Sequence, residues 1–169
     1  AAWLELLDAG LPSRLAALDL IPDLRLLDEA GTNRISPVYR QMITQLLQAQ
    51  ADDVRIRVLR QLPRWTGDVD AAVLEILAGD IISEDPVLRE AAAGCLHLMV
   101  SPGSDGLALQ ILGDGHPGVR QAALRALQQR FPEFRDIAMR WVNDNQGNPR
   151  AQQTLIEFLQ QAELPNAAC

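Results

Sequence analysis

Apolar residues return along this chain at i, i+3, i+4, i+7 and i+8, the spacing that places them on one face of a helix. Tyr39, Met42, Ile43, Leu46 and Leu47 form one such set, and Val69, Ala72, Val73, Ile76 and Leu77 a second. Phe134, Ile137, Ala138, Trp141 and Val142 form another, and a shorter version runs Leu107, Ala108, Ile111, Leu112. No segment sustains the two-residue alternation, bounded by hairpin turns, that a half-buried strand requires. The pattern predicts an all-α protein.

Each set is followed, after a break of Gly, Pro, Ser, Asp or Asn, by a second helical segment. These read DDVRIRVLRQL from Asp52, DPVLREAAAGCL from Asp85, HPGVRQAALRAL from His116 and NPRAQQTLIEFL from Asn148. Arg55, Arg89, Arg120 and Gln152 hold matching places in them, at intervals of 34, 31 and 32 residues. A near-constant interval of this size is the mark of an internal repeat. The unit is helix, turn, helix, with pairs at 36–63, 68–100, 104–130 and 133–162. AWLELLDAG followed by LPSRLAALDLI gives a degenerate N-terminal pair within 1–35. At 169 residues the chain is close to the roughly 150 expected of one domain, so 1–169 is read as a single repeat domain.

HPGVRQAALRAL, and with it DPVLREAAAGCL, resembles the second helix of the HEAT-repeat family, which has the form D-P-x-V-R-x-A-A-x-x-A-L. The resemblance covers about the last four-fifths of the chain. It implies a right-handed α-α superhelix of about five helical hairpins, with the second helices lining a concave surface. In the family an Asp six residues before the Arg often pairs with it along the solenoid, and Asp114 and Arg120 have that spacing. The function implied is that of a protein–protein interaction scaffold or adaptor. Bilin lyase subunits and a class of DNA alkylation-repair glycosylases share the architecture and give an enzymatic alternative. A stabilising module of a larger protein is a further one.

Composition sharpens this picture. Hydrophobic residues make up 48% of the chain but aromatic ones only 4%, so Leu, Ala, Val and Ile must fill the core. The longest apolar stretches, at Ala91 to Cys95 and Leu96 to Val100, fall far short of the roughly 20 residues that span a bilayer, so no membrane insertion is expected. All 15 basic residues are Arg, and the net charge is −7. Nonspecific nucleic-acid affinity comes chiefly from cations that neutralise phosphates, so nucleic acid is not the expected partner. Asp52, Asp53, Asp80, Glu84, Asp85, Asp114 and Asp144 fall between helical segments, where carboxylates cap helices and meet their positive ends. The N-terminus has neither a basic region nor an apolar run ahead of a cleavage site, and a cytoplasmic protein is expected.

Candidate chemistry is sparse. Cys95 and His97 stand two residues apart and point in different directions on a helix, so they make no nucleophile and base pair. Cys95 and Cys169 are too few for a disulfide framework or zinc site. Neither Asp68-Val69-Asp70 nor Glu84-Asp85 continues into a calcium loop. SPGSDG and GDGHPG have no phosphate-loop Lys, and Trp3, Trp65 and Trp141 are too dispersed for an aromatic cage. No enzymatic activity, metal or cofactor is expected. A partner surface is. If Val119, Ala122, Ala123, Ala126 and Leu127 face inward, Gln121, Arg125 and Gln128 face out. The matching outward positions are Glu90 and His97 in the preceding pair and Gln153, Glu157 and Gln160 in the following one. Arg57, Arg60 and Arg64 form a basic stripe along one side of their helix. Together these favour a protein or peptide partner with an acidic segment.

Overall fold

Proline holds the first position of four helices, Pro37, Pro86, Pro117 and Pro149. At that place its missing N–H has no partner to lose and its fixed φ suits the helix. The computed structural model describes residues 10, 12, 16, 37–48, 51–64, 69, 71–100, 103 and 105–163. Among them stand eight α-helices and no strand: α1 (Pro37–Leu47), α2 (Asp52–Leu59), α3 (Ala71–Ile81), α4 (Pro86–Ala93), α5 (Asp105–Leu112), α6 (Pro117–Arg130), α7 (Phe134–Asn143) and α8 (Pro149–Glu163). Single turns of 3-10 helix follow α2 at Leu62–Arg64 and α4 at Leu96–Leu98. The protein is all-α. The expected N-terminal pair within 1–35 lies outside the described residues, as do Trp65, Asp68 and Asp70.

Side chains from the preceding turns fix where these helices start. Asp85 Oδ1 accepts the Val87 N–H at 2.9 Å at the head of α4, and Asn148 Oδ1 accepts the Ala151 N–H at 2.8 Å at the head of α8. Each satisfies one of the amides left without an intrahelical partner. Asp85→Ala is expected to cost about 1 kcal/mol, read as a lowered thermal midpoint by circular dichroism, with Asp85→Ser close to wild type. Not every expected cap forms. Asp80 lies buried in the last turn of α3 and not ahead of a helix start. Asp52 and Asp53 are already inside the first turn of α2, where Asp52 pairs with Arg55 at 3.4 Å.

Two compact units meet in sequence at residues 79 and 80, inside α3. In the first, α1 packs against α2, and the 3-10 turn at Leu62–Arg64 packs against α2 as well. Met42, Ile43, Leu46 and Leu47 are buried, the same stripe that the apolar spacing marks on α1. Val54, Val58, Leu59 and Leu62 are buried with them in that unit. In the second unit α4 lies against α6, α5 against both α6 and α8, and α7 against α8. α4 and α6 both bury small side chains: Ala91, Ala92 and Ala93 on one and Ala122, Ala123 and Ala126 on the other. Methyl groups let the two backbones approach closely while still removing apolar surface from water.

Two second helices stop earlier than their sequence pattern implies. α2 ends at Leu59 with Arg60 as its C-cap; Pro63 has no amide to donate to the Leu59 carbonyl, and the chain goes on as the 3-10 turn Leu62–Arg64. α4 ends at Ala93 and caps on Gly94, a poor helix former, before the separate turn at Leu96–Leu98.

Candidate functional site

The outward face of α6 is as the apolar spacing implies. Val119, Ala122, Ala123, Ala126 and Leu127 are buried, whereas Gln121, Arg125 and Gln128 are exposed. On α8, Ala151, Thr154 and Leu155 are buried and Gln153, Glu157 and Gln160 are exposed. Gln153 Nε2 donates to Glu157 Oε1 at 2.9 Å, so two of these residues already hold one another along the helix. Glu90 is half-buried on α4, and a Cβ on Gly118 would overlap its Oε2, which places the carboxylate against the start of α6. His97 belongs to the 3-10 turn and not to α4, so Glu90 and His97 do not share one helical face. The basic stripe is likewise broken. Arg57 is in α2, Arg60 caps it, and Arg64 closes the following 3-10 turn, its side chain outside the described part. Arg57 and Arg60 are both exposed.

The residues at the recurring Arg position have a different task. Arg89 Nη1 donates to the carbonyls of Ser83 at 2.7 Å and Glu84 at 3.0 Å, six and five residues before it. Arg120 Nη1 repeats this on the carbonyls of Asp114 at 2.8 Å and Gly115 at 3.3 Å. Gln152 Nε2 does the same with the carbonyls of Gln146 and, at 3.1 Å, Trp141. Long polar side chains thus reach back over the turn and hydrogen-bond its carbonyls or those of the helix before it. The carboxylate of Asp114 does not pair with Arg120. It receives Arg89 Nε at 3.0 Å and Nη2 at 3.4 Å from the preceding pair, and Oδ1 accepts the His116 N–H at 2.7 Å. Arg120 Nη1 engages the Asp114 main chain, and the Asp114 side chain is directed at the neighbouring turn. Burial raises the Asp114 pKa, but the His116 amide and Arg89 lower it by more, and it ends below its ordinary value of 3.8.

Cys95 is fully buried, its thiol donates to the Ala91 carbonyl at 3.7 Å, and burial pushes its pKa up. It is held as a neutral thiol in the core. No described helix is long and apolar enough to cross a membrane.

A feature the sequence did not disclose lies in the second unit. Val100, Leu127, Phe131, Phe134 and Ile137 help to wall a cleft of about 310 Å³, which Asp105, Arg140 and Trp141 also line. Trp141 is 4% exposed, meets Phe134 edge to face with ring centroids 6.1 Å apart, and donates its indole N–H to Asp105 Oδ2 at 2.8 Å. The apolar stripe of α7 correctly predicts a packed Trp141. Its polar partner, 36 residues earlier in the chain, has no signal in any local pattern.

Paired helices and bracketed turns define an all-α protein with exposed polar residues on its helices. No protein-family model matches the chain, and no curated protein matches it significantly in sequence.

Proposed function

We propose that this chain is a protein-binding scaffold or adaptor module of HEAT-like repeats, contacting its partner through the exposed faces of the second helices. The observation that carries this reading is the register of α6, which buries its alanines and leaves Gln121, Arg125 and Gln128 in water. Stacking of helix pairs in repeat proteins supplies a continuous core and an extended face for binding. Amide and guanidinium groups on such a face can hydrogen-bond an extended acidic segment.

The test places a photoreactive residue at Gln121, Gln128 or Gln153 in the full chain, with Gln110 on the exposed side of α5 as control. Irradiation in an extract of the source cell is expected to give one stoichiometric protein adduct from the first three positions, diminished by Arg125→Glu. Free monomer at every position would remove the proposal. The exposed pair Arg57 and Arg60 extends the same expectation to the first unit. Once the partner is in hand, R57E/R60E should weaken its binding several-fold, more strongly at low salt, with an unchanged circular dichroism spectrum. Equal affinity in the folded double variant would limit the arginines to surface ion pairs worth about 0–1 kcal/mol.

A further inference from the structure

The turns before α4 and α6 are held alike but completed differently. Arg89 Nη1 holds the carbonyls six and five residues before it, and Nε and Nη2 then take the two oxygens of Asp114 at 3.0 and 3.4 Å. Arg120 Nη1 holds the matching carbonyls of its own turn at 2.8 and 3.3 Å, which sets its guanidinium in the same register. The residue that matches Asp114 in the next pair is Gln146. Its main-chain carbonyl receives Gln152, and its side chain bonds to no described residue. Asp144, the carboxylate of that turn, is exposed and forms no ion pair with a described residue. Residues 83–90, 113–118 and 143–150 are all described, and Arg120 Nε and Nη2 donate to none of them.

A second arginine stands at the same turn. Arg150, exposed in the first turn of α8, brings Nη1 within 3.7 Å of where a Cβ on Gly115 would lie, and Gly115 is the residue whose carbonyl Arg120 holds. The acids nearby do not answer these two cations: Asp114 is engaged by Arg89 and the His116 amide, and Glu90, against Gly118, forms no ion pair with either arginine. Arg150, Gln153 and Glu157 share one side of α8 by their spacing, and Gln121 follows Arg120 on α6. Uncompensated positive charge therefore lies at the edge of the exposed polar face.

We infer that Arg120 and Arg150 form an anion site that takes the carboxylate of one acidic side chain from the partner's segment, as Arg89 takes Asp114. The fold supplies the precedent, since the earlier joint shows what the Nε and Nη2 edge of an arginine in this register accepts. Two carboxylate oxygens match the two nitrogens of that edge. A polyanion of phosphates is the poorer fit to a chain of net charge −7.

The inference rests on the protein-binding reading above, but its readout does not need the partner, so the two can fail separately. The reporter is the Nε–H resonance of Arg120 in a 1H–15N spectrum of the full chain, assigned by its loss in Arg120→Lys. Titration with N-acetyl-Gly-Asp-Gly-amide at constant ionic strength is expected to shift it saturably, and the same peptide with Asn for Asp should not. Arg150→Gln should weaken the aspartyl peptide several-fold. Gln146→Asp restores the carboxylate of the earlier joint. It should move the Arg120 resonance without peptide, raise the thermal midpoint and weaken peptide binding about tenfold, because the edge is then taken from within. Undiminished binding by Gln146→Asp would overturn the site, as would equal shifts from the Asp and Asn peptides. Tighter binding of inorganic phosphate than of the peptide would replace the partner side chain with a free anion. A shift seen only in Asp144→Asn would show that Asp144 fills the place in solution and would also overturn the inference. A silent Arg120 resonance alongside cross-linking at α6 would remove the anion site and leave the scaffold, whereas a saturable shift without any cross-link would do the reverse.

Discussion

Asp114→Ala should be among the most damaging single changes to the second unit, lowering its stability by about 2–3 kcal/mol. The carboxylate holds Arg89 through two nitrogens and the His116 amide through a third contact. Its removal takes the anion from an Arg89 side chain that is only 19% exposed. Loss of one partner from a buried pair costs about 3–5 kcal/mol, and the residual exposure of both groups reduces that figure. Arg89 keeps its bonds to the Ser83 and Glu84 carbonyls, which limits the damage further. Urea denaturation at neutral pH measures the loss directly.

Acid provides an independent reading of the same contact. The folded-state pKa of Asp114 lies below its ordinary 3.8, so folding favours the ionised form. The stabilisation is complete above about 3.8 and is lost as the pH falls through the lower, folded-state value. Asp114→Asn removes the charge but keeps an acceptor for the His116 amide. The stability gap between this variant and wild type should be present at neutral pH and narrow below about 3.8. A gap that widened in acid would show that the carboxylate is not stabilised as its ion.

Gly113→Ala is expected to cost about 2 kcal/mol even though alanine is the better helix former. Gly113 is buried at the end of α5, and a Cβ there would overlap the side-chain amide of Asn148. That amide cannot simply swing aside, because its Oδ1 caps α8 through the Ala151 N–H. The variant must either displace the cap, worth about 0.5–2 kcal/mol, or push the two turns apart. The double variant Gly113→Ala, Asn148→Ala separates these effects. It should be no less stable than Asn148→Ala alone, because the obstacle has gone. Additive losses would show that Gly113 is needed for its own backbone and not for the space beside Asn148.

The all-α class and the places of the helices were legible because both signals are local. Met42, Ile43, Leu46 and Leu47 declare one buried stripe by spacing alone, and Pro86, Pro117 and Pro149 declare three helix starts. Helix ends were less legible. Arg57, Arg60 and Arg64 have helical spacing on paper, but Pro63 stops the helix before the third of them. Gly94 does the same between Glu90 and His97. Contacts between pairs were the least accessible. Asp114 has the right separation from Arg120, yet its carboxylate turns to Arg89, 25 residues away, while Arg120 Nη1 holds the main chain of the same turn. The cleft unites side chains from Val100 to Trp141 and has no signature in any short window. Such juxtapositions depend on how helices are laid together, which periodicity does not encode.

The unequal turns also restrict how this chain can be recombined. Gln152 stands where Arg120 stands one pair earlier, and Gln146 stands in the place of Asp114, so the position before α8 that matches Asp114 carries an amide and not a carboxylate. Exchanging α5–α6 with α7–α8 would set that amide opposite Arg89 and take Gly113 away from Asn148. Helices of similar length and apolar spacing would survive the exchange, but the joints between them would not. The order of the modules is written in a handful of loop residues, and any duplication, deletion or grafting of a pair has to rewrite those residues before the new neighbours can fit.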